Sequence, residues 1–427
     1  MDNSIIEVIK EVNILAYFRK RGCKCPNKKK CTCNAKWSFT MDAGRDPATG
    51  ERNQITRSGF PRKQDAIEAV AQIQSEMSNG QYVKETEVIF SEFAEQWLQQ
   101  YYKGVKKATI RARSKEIILL NRYFRNAKIK NITKKQYQDA LDDLLVRERV
   151  MKSRTVYGYA HNTVLGVHAT GKMIFEKAKE FDMIKTDPTE FAKVTRPQKT
   201  VEELESEEAI PKYLEKEELS LFLKTARESD HLLDYTMFML LAYSGIRAGE
   251  LCALKWSDID FDKGTIKITK TYYNPNNNAT SYQLEPPKTK SSKREIDLEP
   301  VVMVALKKYR TTQLEFKMAM GSAYYDGDFV FAMNGKHPGY PIFIKTVGNR
   351  MRTLLVSAGL NTSLTPHSLR HTHTSLLAEA GASLEEIMER LGHKDDDTTK
   401  SVYLHVTKDR KKEASRRFGK LMESVSN

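Results

Sequence analysis

Four short segments carry residues suited to attack on a phosphodiester: Ser244-Gly245-Ile246-Arg247-Ala248-Gly249-Glu250-Leu251, Pro287-Lys288-Thr289-Lys290, His367-Ser368-Leu369-Arg370-His371-Thr372, and Leu391-Gly392-His393 followed by Tyr403. Guanidinium groups grip non-bridging phosphate oxygens with paired donors as charge builds in a transition state. A tyrosine hydroxyl can attack phosphorus, which leaves lysine and histidine for proton transfer. With a reference pKa near about 10 the tyrosine needs a base or cationic surroundings, and Arg247, Arg370 and His367 would supply them.

Each residue alone has an ordinary reading as well. Arg247 could pair with Glu250 just after a helix that ends at Gly245. His367, His371 and His373 could be packed histidines or, since 367 and 371 share a helix face, a metal patch. Tyr403 is one of 19 tyrosines, and most tyrosines pack or sit at the surface. Asp395-Asp396-Asp397 reads more readily as the cap of a short helix than as a metal site, and Cys252 as a packed core thiol. The occurrence of all four segments in one order outweighs these separate readings.

In wording and spacing the segments resemble the tyrosine recombinases, specifically the integrases of phages and integrative conjugative elements of Gram-positive bacteria, and the likeness runs along nearly the whole chain. It implies that Arg247 is the first catalytic arginine and that Lys288, on a β-hairpin, protonates the leaving 5′-hydroxyl. Lys290 and Lys293 are neighbouring alternatives for that lysine. His367 and Arg370 match the His-x-x-Arg pair, His393 a further phosphate-contacting histidine, and Tyr403 the nucleophile that forms a 3′-phosphotyrosyl link. The covalent link retains the energy of the broken bond, so the resemblance implies catalysis with no cofactor, neither ATP nor metal. The sequence has no Gly-x-x-x-x-Gly-Lys-Ser/Thr loop and no clear carboxylate set for two metals, in agreement.

These residues need a scaffold, and 427 residues suffice for roughly two to four domains. Lysine and arginine total 70 against 55 acids, a net charge of +15, which points to a polyanionic partner. No apolar run approaches the ~18 residues of a membrane span. Glu7, Lys10, Glu11 and Asn13 interrupt the apolar start at Ile5 to Leu15, so no export signal is read and a cytoplasmic location is expected.

The expected fold is multidomain: an N-terminal α+β domain of a small sheet plus a helix (1–84), an all-α domain (85–195), a polar linker (196–210), and a mainly α, mixed C-terminal domain (211–427). In the first, Trp37 to Met41 and Arg52 to Thr56 read as strands, and Ala66, Val70, Ile73 and Met77 as one helix face. A sheet covered on one side leaves the other for DNA, with Lys24, Lys28, Lys29, Lys30, Arg52 and Arg57 as candidate contacts. In the second, Phe90 to Leu98, Ile117 to Phe124, Tyr137 to Leu145 and Val164 to Phe181 read as helices, with Lys106, Lys107 and Arg111 facing DNA. The third reads as helical from Pro211 to Ser244, with strands at Thr265 to Thr269 and Glu295 to Leu298 and helices again from Pro300.

By the resemblance, the first domain reads accessory arm sites, the second clamps core sites opposite the catalytic domain, and four protomers assemble on double-stranded attachment-site DNA. They pass through a Holliday junction and exchange a C-terminal segment, here the one holding Phe418, Leu421 and Met422. An excision factor and a DNA-bending protein are open as partners. The departure from the simplest arm-binding domain is Cys23-x-Cys25 and Cys31-x-Cys33, which read either as reduced bystanders or as a structural zinc site of four thiolates. Two rival functions keep the fold: a regulator that binds DNA without chemistry, and a relaxing topoisomerase without site choice.

Overall fold

The computed structural model describes residues 6–8, 15–23, 25, 33–45, 50–79, 87–151, 154–196, 213–229, 231–287, 289–392 and 397–406. The chain forms two compact units, Met1–Pro197 and Gln198–Asn427. The expected boundary at 84/85, most of the linker and the basic stretch from Lys408 to Lys420 lie outside the described residues.

The first unit holds two separate cores. One belongs to an antiparallel meander of β1 (Ile6–Val8), β2 (Leu15–Lys20), β3 (Trp37–Arg45) and β4 (Arg52–Phe60), backed by helix α1 (Lys63–Ser78). Ala16, Phe18, Phe39 and Met41 pack on Ala66, Val70 and Ile73, as period-two strands against a period-3.6 helix require. Two strands were expected; β1 and β2, of three and six residues, were missed because they are too short for a period of two to stand out.

The second core joins α2 (Phe90–Tyr101), α3 (Lys107–Phe124), α4 (Lys134–Val146) and α5 (His161–Glu180). In α2 the buried residues Phe90, Phe93, Ala94 and Trp97 fall at i, i+3, i+4 and i+7, the stripe of a helix packed on one side. The expected all-helical reading needs one correction. Between α4 and α5 stands a hairpin, β5 (Glu148–Met151) with β6 (Arg154–Tyr157), whose four-residue strands are too short to show a period in the sequence.

In the second unit, α6 (Lys216–Glu228) and α7 (Leu232–Ser244) replace the single helical stretch expected there. Every residue of α7 from Thr236 to Ala242 is buried, so it runs through the core rather than along its surface. The short helix α8 (Ala248–Ala253) follows, then β7 (Ile259–Asp260), β8 (Thr265–Ile268), β9 (Thr271–Tyr273), β10 (Gln283–Glu285) and β11 (Arg294–Asp297). Strands β7, β8 and β11 form one antiparallel sheet, and β9 pairs with β10. Helices α9 (Pro300–Met320), α10 (Ile344–Ser357), α11 (Pro366–Ala380), α12 (Leu384–Leu391) and α13 (Asp397–Val406) complete the unit. No helix among the described residues is long and apolar enough to cross a membrane.

Candidate active site

Helix α7 ends on Gly245, which has φ +63°. A side chain is strained in that left-handed conformation, and here a Cβ would also meet His373 Cδ2 at 2.6 Å and Leu391 Cδ2 at 2.7 Å. The sharp exit lets Arg247 serve as N-cap of α8, where its Nη1 donates to Glu250 Oε1 at 3.1 Å and its main-chain N–H to Glu250 Oε2 at 2.9 Å. The ordinary reading of an Arg247–Glu250 pair is therefore present in the structure, and Arg247 keeps a side chain 38% exposed.

Glu250 also accepts from Arg294 Nη2 at 2.9 Å and Nη1 at 3.3 Å. Burial by itself would raise the Glu250 pKa, but the Arg294 guanidinium and the Arg247 N–H outweigh it and hold the carboxyl below its ordinary value. Arg294 Nε in turn donates to Arg390 O at 2.9 Å, at the end of α12. Thus β11 is tied to the first motif segment and to the residue just before the fourth by a residue the sequence reading did not single out. Its signal was legible: Arg294 shares the inner face of β11 with buried Ile296, between exposed Lys293, Glu295 and Asp297, and a charge on the buried face of a strand needs a partner.

Arg370, on α11, is 2% exposed. Its Nη1 donates to Gly245 O and its Nη2 to Leu391 O, both at 2.7 Å. A planar fork thereby joins three of the four motif segments. Leu391 ends α12, and Gly392 follows with φ +70°. A Cβ on Gly392 would lie 2.9 Å from Ser291 O and 3.1 Å from Arg294 Cδ, so the 290–294 segment sits directly against the end of α12. Lys288 and His393 lie outside the described residues, and Lys293 is exposed. His367 is exposed at the start of α11, with its ring 4.8 Å from that of His371 in an edge-on arrangement. Tyr403, on α13, packs its partly buried ring on the cluster of Ala378, Ile387 and Leu391.

His373 is the third histidine of the same helix and has a different role from the other two. It donates its Nδ1–H to Ala242 O at 2.8 Å, and its Nε2 accepts from Arg390 Nε at 3.1 Å. Arg390 Nη2 donates to Tyr243 O and Asp297 O. That geometry requires the neutral ring, and burial, then Arg390, push the His373 pKa down to about 3. An unfolded chain takes up this proton near about pH 6.5. The contribution is therefore complete above that value and is lost as pH falls toward 3. Urea midpoints measured from pH 7 to pH 5 should show a loss of about 2 kcal/mol from this group, and His373→Gln should flatten that slope.

In the first unit, Arg52 lies on the open face of the sheet and pairs with Asp42, Nε to Oδ2 at 2.8 Å. Arg57 alternates onto the other face with Ile55, where α1 packs, and lies near Glu76; it does not border the open face as expected. Lys24, Lys28, Lys29, Lys30 and Cys31 lie outside the described residues, while Cys23, Cys25 and Cys33 have sulfurs within 4.8 Å of one another. Lys106 stands at the N-cap of α3, and Lys107, exposed, and Arg111, half-buried, follow at i, i+4 spacing. Arg113 of the same helix turns inward instead, to Glu116 and Thr170 at 2.9 Å each. Cys252 is buried in the core as expected.

The phage integrase family matches residues 212–410, the phage integrase N-terminal SAM-like domain residues 89–145, and an arm DNA-binding domain residues 27–77. The chain is 34% identical to an integrase of Staphylococcus phage L54a over 239 residues, 54% of this chain and 66% of the phage protein. It is 24% identical to the ICEBs1 integrase of Bacillus subtilis strain 168 over 402 residues, 91% of this chain and 98% of that one. In fold it is similar to the Tn1549 transposon integrase solved in complex with transposon right end DNA, with a TM-score of 0.60 at 21% identity over 78% of this chain and 100% of that one. With three matched regions in one order along the chain and a core network that converges on their motifs, the chain belongs to the phage integrase family, the site-specific tyrosine recombinases that cleave and rejoin DNA.

Proposed function

We propose that this chain integrates and excises a mobile genome at attachment sites, with Tyr403 as nucleophile. The Tyr403 hydroxyl gives up its proton to water as its oxygen attacks the scissile phosphorus, a 3′-phosphotyrosyl bond forms, and the 5′-oxygen leaves with a proton from Lys288. Arg247, His367, Arg370 and His393 stabilise the charge on the phosphoryl oxygens. Attack by the 5′-hydroxyl of a partner strand reverses the step, so no external energy source or catalytic metal is called on. The observation that carries this reading is the Arg370 fork, which binds the Gly245 turn before Arg247 and the α12 end before His393 into one network, with the Tyr403 ring packed on the same Leu391.

The test is a nicked suicide substrate built from the element's own junctions, with a covalent band scored on a denaturing gel and the DNA-linked peptide sequenced. The reading requires a band with the DNA on Tyr403. Tight junction binding with no band would make the chain a DNA-binding regulator instead.

The same reading makes the working unit a homotetramer on core and arm sites, open to an excision factor and a DNA-bending protein. A groove of about 620 Å³ in the second unit, lined by Leu219, Leu223, Met239, Leu376 and Leu377 and rimmed by Lys224 and Arg227, supports the exchange of a tail between copies. Its wall includes His373 and Arg390, so an occupant would touch the network that holds the site. Phe418, Leu421 and Met422 have the apolar character to fill it. Deleting residues 418–427 should leave binding to a single core half-site intact and abolish the tetramer in mass photometry of the DNA complex.

A further inference from the structure

The two strands at the centre of the N-terminal sheet are joined by residues 21–36, far longer than the roughly two to five residues that close an ordinary hairpin. Pairing continues past the end of the ladder: Lys20 stands opposite Trp37, and the Arg21 N–H donates to Lys36 O at 3.0 Å. Gly22, at φ +80°, turns the chain just beyond. This geometry delivers Cys23 and Cys33 to the same spot from opposite strands, with their sulfurs 3.6 Å apart, and the Cys25 sulfur lies within 4.8 Å of both.

We propose that the thiolates of Cys23, Cys25 and Cys33 bind a zinc ion at the base of this connection. The distances fit the ion. A tetrahedral zinc thiolate, with Zn–S near 2.3 Å, places its sulfurs about 3.8 Å apart, whereas the Cys23–Cys33 separation is well beyond the roughly 2.05 Å of a disulfide. Cys31 supplies the fourth sulfur on the strength of its sequence position, since Cys31-Thr32-Cys33 repeats the spacing of Cys23-Lys24-Cys25. Charge points the same way. Lys24, Lys28, Lys29 and Lys30 crowd one short segment, and a zinc ion with four thiolates carries a net charge of −2 that offsets their mutual repulsion.

The role follows from the position. A clip at the base of the connection closes a long loop whose ends the sheet already holds, and it does so beside the four lysines in sequence. Closing the loop in advance lowers the entropic cost of seating those lysines on phosphates. This consequence rests on the arm-site reading of the domain; zinc binding itself does not.

The experiment uses the full chain. After dialysis against buffered zinc, metal analysis should find about one zinc per chain, cobalt substitution should give the visible absorption of a tetrahedral thiolate site, and Cys33→Ser should lose at least about tenfold in zinc affinity. Should Cys33→Ser fail to fold, iodoacetamide labelling of the wild type decides: zinc must protect Cys23, Cys25, Cys31 and Cys33 and leave Cys252 unaffected. Less than a tenth of an equivalent of zinc, with labelling indifferent to the metal, overturns the proposal, as do cysteines paired in disulfides in protein kept under reductant. Zinc removal should weaken binding to an arm-site duplex and leave core-site binding unchanged. A zinc protein whose arm binding ignores the metal would keep the site and discard the role.

Discussion

Tyr403→Phe should bind junction DNA as the wild type does and form no covalent complex with it. The substitution removes one oxygen and keeps the ring. Because that ring packs on Ala378, Ile387 and Leu391, the contacts that seat α13 survive, and the melting temperature should move little. The hydroxyl is a different matter: with no nucleophile at that position, strand cleavage should fall by at least about 10⁴-fold. The pair of readouts separates chemistry from folding. Residual covalent complex in Tyr403→Phe would assign the nucleophile elsewhere, to be located by sequencing the linked peptide.

Arg370→Ala should fail in both respects. Its fork donates to Gly245 O and Leu391 O from a position 2% exposed, so the change strips charge-assisted hydrogen bonds from two carbonyls that water reaches poorly. The expected cost is about 3 kcal/mol of stability, together with a fall of at least about 10²-fold in cleavage. Arg370→Lys should recover little. An ammonium is a point charge and cannot span two acceptors as a planar guanidinium does. Measured together, urea midpoints and covalent-complex yield test whether the residue is a strut as well as a phosphate ligand. Unchanged stability with cleavage lost would leave only the second role.

What the sequence determined by itself was the class of chemistry and the segments proposed to carry it. Arg247, His367, Arg370 and Tyr403 stand in segments whose wording is local, and local wording survives in a string of letters. Helices with wide apolar stripes were legible for the same reason: the repeat in α1 and α2 is long enough to be counted. Strands of three to six residues such as β1, β2, β5 and β6 were not, because a period of two needs more residues than they contain to stand out from chance.

Tertiary structure alone decided how the motifs are held. The bonds from Arg370 to Gly245 and Leu391, from Arg294 to Glu250 and Arg390, and from Arg390 to His373 span separations in the chain that no spacing rule encodes. They exist because buried charges and carbonyls must find partners wherever the packing places them. The same reasoning explains Arg57, a candidate DNA contact that the fold turns toward α1, and Arg113, which the fold turns inward to Glu116 and Thr170. Sequence sets which residues are charged; which face each charge occupies depends on strand register and helix rotation, and those are settled only when the apolar stripes have closed on one another.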